Sequence, residues 1–442
     1  MAFFVVYRTE IMTESAAQRP CNVGIVGFGT VGQAVARILS SGAHPGLRLT
    51  HVCNRDIARK KAAWVAADVV WTESFEELID APVDVLVELI GGLSPARDWI
   101  ERALAAGKSV VTANKQVIAH AGLPLLTLAS QEGCHLLFEA AVAGGIPVVR
   151  ALREGVCGDR LFRIQGILNG TCNYILTKME TEQVSFGDAL AEAQRLGYAE
   201  ADPTADVDGF DAQAKLAILV SVGLGRAIPV ADIPLSSITP IASIDFVYAK
   251  RLGCAIRQVA RAELTADGDG IRAAVQPALV PASSALGRVG GSQNIVVVDG
   301  EFGGETAFSG FGAGGAPTAV AVVSDLLAIA RGAPVADHSR PTGSAMASVT
   351  RDFSAPHYVR FIVADRPGII AALADIFSRH DVNVDAVLQE PGWSKSELPF
   401  VMTLEACSST AVGAALVDIG HCDFHVRPPL WLPMLARGEG RS

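Results

Sequence analysis

Short apolar runs alternate with amphipathic segments through the first third of the chain. Five of these runs are rich in Val, Ile and Leu, as buried strands are: residues 21–26, 47–52, 83–90, 109–112 and 136–139. The segments between them carry apolar residues at helical spacing. Because strands that alternate with helices form a parallel sheet, the pattern predicts a doubly wound α/β domain over residues 21–150.

The middle of the chain changes to longer alternating runs. A strand predicted over residues 161–169 leads into a helix, and three later runs alternate apolar and polar positions: residues 258–264, 271–277 and 294–299. Such alternation is typical of antiparallel strands, so we predict an α+β domain with a mostly antiparallel sheet over residues 151–331. A glycine-rich loop at residues 310–318 precedes a predicted helix at residues 319–331. We expect residues 310–331 to pack back on the first domain and complete it.

The two ends of the chain differ from these domains. Residues 332–356 are rich in Gly, Ala, Ser and Pro without apolar periodicity, which predicts a linker. Beyond it, strand and helix patterns predict a βαββαβ module of the ferredoxin type over residues 357–430. Residues 1–20 carry an apolar patch too short for a signal sequence, and we interpret them as a disordered leader with Met12 as a second candidate start.

The composition narrows the class of protein. With 442 residues, 50% of them apolar, the chain can form two or three domains. The net charge of -10 and the lack of a Lys/Arg cluster argue against a nucleic-acid or membrane surface. Eight cysteines without a Cys-x-x-Cys pair favour reduced thiols in the cytoplasm. The longest uncharged run is broken by glycines and Pro317, so no membrane-spanning segment is predicted.

A glycine motif follows the first predicted strand. Gly-x-Gly-x-x-Gly closes that strand and opens a helix, where glycines let a pyrophosphate approach the unpaired N–H groups of the helix N-terminus. The motif predicts a Rossmann-type domain whose dinucleotide site includes Gly27, Phe28, Gly29, Thr30, Val31 and Gly32. At the end of the next strand Arg55, with lysines behind it, suits a ribose 2′-phosphate, which favours NADP over NAD. An exposed arginine at a helix start is the alternative interpretation, so NAD stays open.

Residues 197–215 combine five acidic side chains with one lysine. Asp208 is the predicted N-cap of a helix on which Asp211 and Lys215 lie one turn apart. Apolar residues share their face, so the lysine ammonium would lie over apolar neighbours rather than in bulk water. A solvated ion pair worth about 0.2–0.5 kcal/mol is the simpler interpretation of this spacing. The neighbouring motifs favour a catalytic lysine instead.

Two further motifs lie at the ends of predicted strands. Lys115 follows the strand at residues 109–112, so its side chain should point toward the cofactor crevice at the carboxyl edge of the sheet. Lysines at strand ends are often only solvated, but this position favours a functional role. Glu139 precedes a glycine-rich turn with exposed carbonyls, an all-oxygen set that suits a hard monovalent cation.

Taken together, the motifs resemble homoserine dehydrogenase of the long bacterial form. The resemblance covers about residues 23–331 and rests on seven segments: residues 27–32, 112–115, 139–147, 170–175, 197–203, 208–215 and 310–318. The region from Tyr358 onward resembles an ACT domain. In one departure, Phe311 stands where relatives usually carry proline.

The resemblance implies the reversible NAD(P)-dependent reduction of L-aspartate 4-semialdehyde to L-homoserine, on the route to threonine, methionine and isoleucine. Hydride delivered to an aldehyde carbon leaves negative charge on the oxygen, so the site needs a positioned proton donor. Lys215 is the candidate donor, and Asp211 would orient it and help to bind substrate.

The resemblance also implies roles for other residues. The substrate-binding set is Lys115, Thr171, Glu200, Asp206 and Asp211, of which Glu200 and Asp206 would hold the ammonium group of this small molecule. Further cofactor contacts are implied for Thr112, Lys115, Gly197, Glu200 and Gly312. A sodium ion would be bound by Glu139 and, through backbone carbonyls, by Val142, Gly144 and Ile146.

The family resemblance also gives expectations about regulation and about oligomeric state. Residues 365–368 and Asn383 fit an amino-acid-binding turn, but residues 390–398 form a longer, more polar hairpin than the family pattern, so threonine feedback is a hypothesis. Modules of this type commonly pair, which favours a homodimer or homotetramer.

Two other functions stay open. One is a catalytically silent protein of the same fold that senses cofactor and amino acid, although the joint presence of Lys115, Glu200, Asp211 and Lys215 speaks against it. The other is a dehydrogenase for a different small amino-acid aldehyde.

Overall fold

The structure, a computed structural model, describes residues 19–335 and 346–435. Most of the predicted leader, including Met12, and part of the predicted linker lie outside the described residues. In the ranges that the structure describes, no helix is long and apolar enough to cross a membrane.

Six parallel strands form the first sheet, in the order β3-β2-β1-β4-β5-β6. The strands are β1 (Cys21–Val26), β2 (Leu47–Cys53), β3 (Val70–Thr72), β4 (Val85–Glu88), β5 (Ser109–Thr112) and β6 (Leu136–Leu137). The helices are α1 (Thr30–Ser40), α2 (Ile57–Lys60), α3 (Phe75–Asp80), α4 (Ala96–Ala105) and α5 (Lys115–Gln131). This strand order is that of the doubly wound dinucleotide-binding sheet, which confirms the predicted Rossmann-type fold.

Strand β6 is shorter than predicted. It ends at Leu137, and the chain then turns into a 3-10 helix at Glu139–Ala141. The Glu139 carboxylate accepts hydrogen bonds from the backbone N–H groups of Val149 and Arg150, which draws this segment away from the sheet edge. A contact ten residues along the chain therefore overrides the local strand pattern.

The second sheet is mixed, in the order β11-β10-β7-β8-β9-β12. Its strands are β7 (Leu161–Ile167), β8 (Cys254–Leu264), β9 (Ile271–Pro281), β10 (Gln293–Gly300), β11 (Gly304–Phe311) and β12 (Val349–Thr350). The helices are α6 (Val148–Arg150), α7 (Gly170–Glu182), α8 (Phe186–Arg195), α9 (Thr204–Val207), α10 (Phe210–Gly223), α11 (Ser243–Arg251), α12 (Ala285–Arg288) and α13 (Gly315–Ala330). All neighbours pair antiparallel except β9 and β12, so the mostly antiparallel sheet is confirmed.

The glycine-rich run at residues 310–318 is less of a loop than predicted. Gly310 and Phe311 belong to β11, where they pair with β10. Helix α13 begins at Gly315, four residues before the predicted start, and Pro317 lies in its first turn, where a missing N–H costs no hydrogen bond. The true loop is therefore only residues 312–314.

Helix α13 returns to the first sheet. Ala319 and Val322 share a core with Val35 and Ala36 of α1. A side chain at Gly315 would contact Thr30 Cγ2 at 2.9 Å, so glycine allows the two helix N-termini to approach each other. The late helix thus brings the end of the second region to the glycine motif of the first.

The C-terminal module, defined here as residues 354–433, is a four-stranded antiparallel sheet in the order β14-β15-β13-β16. Its elements are β13 (Ser354–Val363), α14 (Ile369–Arg379), β14 (Val384–Gln389), β15 (Leu398–Ser408), α15 (Ser409–Ile419) and β16 (His425–Pro433). The βαββαβ order confirms the predicted ferredoxin-like fold.

The C-terminal module packs on the second region through buried polar contacts. Arg360 of β13 forms an ion pair with Asp245 of α11 at 2.5 Å, and both side chains are almost completely buried. Tyr358 also donates a hydrogen bond to Asp245, at 2.7 Å. Around these residues Tyr358, Val401 and Leu432 share an apolar core with α7 and α11.

Candidate active site

Helix α10 begins at a glycine with left-handed backbone geometry. Gly209, not the predicted Asp208, occupies the N-cap position, with φ at +93°. The backbone angle favours glycine, and a Cβ there would lie 3.1 Å from Val275 Cγ1, a contact tight enough to need a small shift of that side chain. The cap prediction was wrong, but the helix still places Asp211 and Lys215 one turn apart.

The ammonium group of Lys215 is held between two oxygens. Its Nζ donates to Asp211 Oδ2 at 2.7 Å and to the Leu168 carbonyl at 2.8 Å. The Lys215 side chain is 11% exposed. Within the described part of the chain, protein acceptors take two of the three ammonium N–H bonds, which leaves one for a ligand oxygen.

A second lysine reaches the same carboxylate from the first domain. Lys115 is the first residue of α5, whose N-cap Asn114 accepts hydrogen bonds from two backbone N–H groups. Its Nζ lies 2.9 Å from Asp211 Oδ1. Burial alone would lower the pKa of Lys115, but the adjacent Asp211 carboxylate outweighs it and the pKa is raised. The pair connects the carboxyl edge of the first sheet to α10.

Asp211 stays ionised because it has two cationic neighbours. Burial opposes its charge, but the two lysines hold the pKa of Asp211 well below its ordinary value. Each carboxylate oxygen faces a different lysine. Asp211 can therefore fix the relative positions of Lys115 and Lys215.

Asn169 joins Asp211 to a second carboxylate and was missed by the sequence analysis. Its Nδ2 donates to Asp206 Oδ1 at 2.7 Å and to Asp211 Oδ2 at 2.9 Å. Burial raises the pKa of Asp206, partly offset by the Asn169 hydrogen bond. An asparagine at a strand-to-helix corner signals an N-cap, but nothing local signals its carboxylate partners. We call Lys115, Asn169, Asp206, Asp211 and Lys215 the polar cluster.

The remaining predicted substrate residues lie on the border of the polar cluster. Thr171, in the first turn of α7, donates from Oγ1 to the Tyr198 carbonyl at 2.6 Å and so ties α7 to the loop after α8. Gly197 on that loop is exposed, with φ at +78°. The Glu200 side chain is also exposed, and among the described residues no hydrogen bond joins its carboxylate to the polar cluster.

The glycine motif forms a backbone cradle at the start of α1. A Cβ at Gly32 would lie 2.1 Å from the Gly27 carbonyl oxygen, so glycine is needed for α1 to approach β1. A Cβ at Gly29 would meet nothing within 4 Å, and Gly29, as the N-cap, has no side chain to cap the first N–H groups of α1. Open space in front of unpaired N–H groups fits the pyrophosphate of a dinucleotide.

Phe28 belongs to the core rather than to the surface of this cradle. Its ring is fully buried and contacts Trp71 edge-on with ring centres 4.9 Å apart. Its backbone N–H donates to Asn54 Oδ1 at 2.9 Å, so the side chain at the end of β2 holds the glycine motif. Arg55, the next residue, is exposed.

A buried carboxylate that the sequence analysis did not single out organises the edge beside the cradle. Glu88 of β4 accepts from Thr112 Oγ1 at 2.6 Å and from the backbone N–H of Ile90 at 2.8 Å. Burial raises the pKa of Glu88, and these hydrogen bonds lower it in part. The Thr112 hydroxyl is therefore occupied by a protein partner, and Thr112 orders the strand ends.

The turn after Glu139 packs on the loop before α13. The Gly145 N–H donates to the Phe311 carbonyl at 3.0 Å. A Cβ at Gly144 would lie 2.8 Å from Thr318 Oγ1 and 3.1 Å from the Gly312 carbonyl oxygen. The predicted ion-binding positions Val142, Gly144 and Ile146 and the predicted cofactor position Gly312 thus belong to one packed region.

Burial raises the pKa of Glu139, and hydrogen bonds from the Arg150 and Val149 backbone lower it in part. Its own backbone N–H donates to Asp325 of α13 at 2.9 Å. Across the described ranges no group of three His, Cys, Asp or Glu side chains is placed to hold a metal. A cation here would depend on Glu139 together with carbonyl oxygens.

Three comparisons with known proteins show which family this chain is similar to. Family models match residues 147–327 (homoserine dehydrogenase), 27–139 (homoserine dehydrogenase, NAD binding domain) and 357–412 (ACT domain). A homoserine dehydrogenase of Bacillus subtilis is 37% identical over 400 residues, covering 88% of this chain and 92% of that protein. A crystal structure of a homoserine dehydrogenase from Thiobacillus denitrificans is similar over 94% of this chain and 98% of its own, with 34% identity and a TM-score of 0.87. A hyperthermophilic archaeal homoserine dehydrogenase in complex with NADPH covers 72% of this chain and 100% of its own, with 28% identity and a TM-score of 0.62.

Proposed function

Since the chain belongs to the homoserine dehydrogenase family, we propose that its polar cluster carries the chemistry of that enzyme. The reaction is the reversible NAD(P)-dependent reduction of L-aspartate 4-semialdehyde to L-homoserine, in threonine and methionine biosynthesis. The observation that carries the proposal is the shared carboxylate. Asp211 holds Lys215 at 2.7 Å and Lys115 at 2.9 Å, where the second region meets the carboxyl edge of the dinucleotide-binding sheet.

The cofactor is a nicotinamide dinucleotide, and when bound it supplies or accepts the hydride. We assign its pyrophosphate to the cradle formed by Gly27, Phe28, Gly29, Thr30, Val31 and Gly32, mainly through backbone N–H groups. Thr112, Lys115, Gly197, Glu200 and Gly312 complete the proposed contacts. Arg55 supports NADP(H) over NAD(H), because Asn54 puts no carboxylate at the end of β2 and Arg55 is exposed beside it.

Lys215 acts on the substrate oxygen. As the aldehyde carbon is reduced, negative charge develops on its oxygen, and the free N–H of Lys215 donates a proton there. In the oxidative direction the neutral amine accepts the hydroxyl proton. Asp211 orients the ammonium group through the 2.7 Å hydrogen bond, so the donor is positioned before substrate arrives.

The substrate's ammonium group is assigned to the acidic side of the site. Asp206 lies against Asn169, and Glu200 lies on the neighbouring exposed loop, where it can approach a bound ligand. Thr171 fixes that loop through Tyr198. Lys115 provides a positive charge on the opposite side of Asp211 for the substrate or the cofactor.

A sodium ion is proposed at Glu139 and the carbonyl oxygens of Val142, Gly144 and Ile146. The donors are all oxygens, as a hard cation prefers, and the ion would offset the buried charge of Glu139. When bound, it would hold the glycine turn against the loop before α13.

The C-terminal module is an ACT domain, which suggests an amino-acid effector, and we propose threonine. Arg360 of this module donates to the Pro240 carbonyl as well as to Asp245. Two residues earlier, the Ile238 N–H donates to the Val207 carbonyl at 3.1 Å, next to Asp206. This continuous chain of contacts supports regulation of the polar cluster by the module. A homodimer or homotetramer and a cytoplasmic location stay predictions.

A substrate and cofactor panel tests the proposal. NADPH and NADH oxidation are measured with L-aspartate 4-semialdehyde and with two other small amino-acid aldehydes. We expect turnover with the semialdehyde and a lower KM for NADPH than for NADH. Arg55→Ala should raise the NADPH KM about 10-fold, the loss of one charge-assisted contact, while NADH serves as the internal control. An equal rise of the KM for NADPH and for NADH in Arg55→Ala would contradict the role of Arg55. Faster turnover of another aldehyde would show that the semialdehyde is not the substrate.

A further inference from the structure

Asn169 lies at the centre of the polar cluster without being one of its charged groups. It is the N-cap of α7 and is 4% exposed. We propose that Asn169 is a positioning residue of the reaction, whose amide holds the Asp206 and Asp211 carboxylates at a fixed separation for substrate and lysines. The inference deepens the proposed function, because it rests on the same cluster.

The hydrogen bonds of Asn169 fix the orientation of its amide. The Cys172 backbone N–H donates to Oδ1 at 2.8 Å, so this end of the amide must be the oxygen. The two N–H bonds of Nδ2 then point at carboxylate oxygens 2.7 and 2.9 Å away, one on Asp206 and one on Asp211. All three bonds lie within normal hydrogen-bond distance, so a single orientation of the amide serves both carboxylates and the helix cap.

The amide separates two carboxylates in a largely buried site. Asp211 Oδ2 receives both Asn169 Nδ2 and Lys215 Nζ, while its Oδ1 receives Lys115. Asp206 has no lysine within ion-pair distance among the described residues, and Asn169 holds its Oδ1. Without the amide, the carboxylates would repel each other, and Asp211 would turn away from the position in which it aligns Lys215.

A purely structural role as a helix cap is the competing explanation, and the chemistry of capping separates the two. Asn, Asp and Ser are about equally good N-caps, because each offers an oxygen to the N–H groups of the first turn. Asn169→Ser keeps that oxygen and removes the amide N–H donors. Asn169→Asp keeps the oxygen and nearly the same shape, but adds a third carboxylate to the cluster.

The experiment compares these two variants with the unsubstituted full-length enzyme. We expect Asn169→Ser to lower kcat/KM for the semialdehyde about 10- to 100-fold, the range of a misplaced catalytic group, with little change in NADPH affinity or melting temperature. Asn169→Asp should lose more activity and move the limbs of the kcat/KM profile to higher pH, because an added negative charge raises the pKa of neighbouring acids and lysines.

Ser185→Ala is the matched control. Ser185 caps the surface helix α8 through the Asp188 N–H and lies outside the polar cluster. We expect it to lower the melting temperature without changing kcat/KM or its pH profile. An unchanged kcat/KM and pH profile in Asn169→Ser would overturn the inference. Losses of kcat/KM that are fully explained by a lower melting temperature in both Asn169 variants would overturn it as well. Full turnover in Lys215→Met, measured in parallel, would instead reject the proposed assignment of the cluster.

Discussion

A few individual side chains fix the arrangement of charged groups in the active site. Asp211 has a lysine on each oxygen, and Asn169 supplies a neutral contact to the same carboxylate. The arrangement keeps one carboxylate ionised and leaves one N–H of Lys215 for a ligand. Outside the active site, the buried ring of His357 also has specific hydrogen-bond partners, and it gives a pH prediction.

His357 of the C-terminal module is completely buried. Trp431 Nε1 donates to its Nδ1 at 3.0 Å, and its Nε2 lies 3.3 Å from the Cys407 carbonyl, so the neutral ring with the proton on Nε2 fits the site. Burial lowers the pKa of His357 from its ordinary value of 6.5. Below that value the unfolded chain gains a proton that the folded ring does not take up.

The unfolding free energy should therefore fall as the pH drops below about 6.5, by at most about 1.4 kcal/mol per pH unit from this residue. Urea unfolding between pH 7.5 and 5.5 measures the slope. His357→Gln should be less stable at pH 7.5 but should lose this part of the slope. Identical slopes in the two proteins would show that His357 does not titrate as described.

Local spacing predicted that Asp211 and Lys215 lie one helical turn apart and that Lys115 lies at a strand end. Both patterns can be read within a short segment of the sequence. The roles of Asn169 and Glu88 depend on partners 42 and 24 positions away, respectively, so no local pattern reveals them. The same limit hides Asp245, whose partner Arg360 is 115 positions away.

Among the elements, helix α10 matters most because it carries both Asp211 and Lys215. Its start depends on Gly209, whose φ of +93° strains any other residue and whose added Cβ would need Val275 to shift slightly. Strand and helix patterns predicted most elements of the first sheet and of the C-terminal module. They failed at β11, where exposed and half-buried residues alternate with few strongly apolar side chains, and at β6, where Glu139 turns the chain.

Gly209→Ala tests the start of α10, and Gly42→Ala is its matched control. Gly42 also has positive φ, at +77°, but a Cβ there meets nothing within 4 Å. We expect Gly42→Ala to cost about 1–2 kcal/mol of unfolding free energy with normal kcat. Gly209→Ala should cost about 1 kcal/mol more because of the added contact and should also lower kcat. Equal stability losses with normal kcat in both variants would contradict this account.

In the part of the chain that the structure describes, two ion-pair junctions help to connect the three sheets. The Lys115 and Asp211 pair joins the first sheet to the second region, and the Arg360 and Asp245 pair joins the C-terminal module to α11. The sequence predicted the three folds and the return of helix α13 to the first domain, but it did not predict these two ion-pair junctions. Those contacts are built from residues far apart in the chain, so only the folded molecule shows them.

Removal of the Arg360 and Asp245 pair tests how the C-terminal module would transmit threonine inhibition. Asp245→Asn with Arg360→Met removes both charges together, so neither is left buried without its partner. We expect this double variant to keep its kcat without threonine and to show weaker inhibition by threonine. Steady-state assays with and without threonine measure the change, and melting curves check folding. Wild-type inhibition in the double variant would show that the signal does not pass through this junction.

The proposed catalysis depends on proton donation by Lys215. Lys215→Met is compared with the unsubstituted enzyme, and with Lys178→Met as a control helical lysine that pairs with Glu182 away from the polar cluster. NADPH oxidation with L-aspartate 4-semialdehyde gives kcat/KM, and fluorescence titration gives the NADPH Kd. We expect only Lys215→Met to lose about 10²- to 10⁴-fold in kcat/KM, with its NADPH Kd nearly unchanged. Retained turnover in Lys215→Met, or equal losses of turnover and NADPH binding, would contradict this role of Lys215.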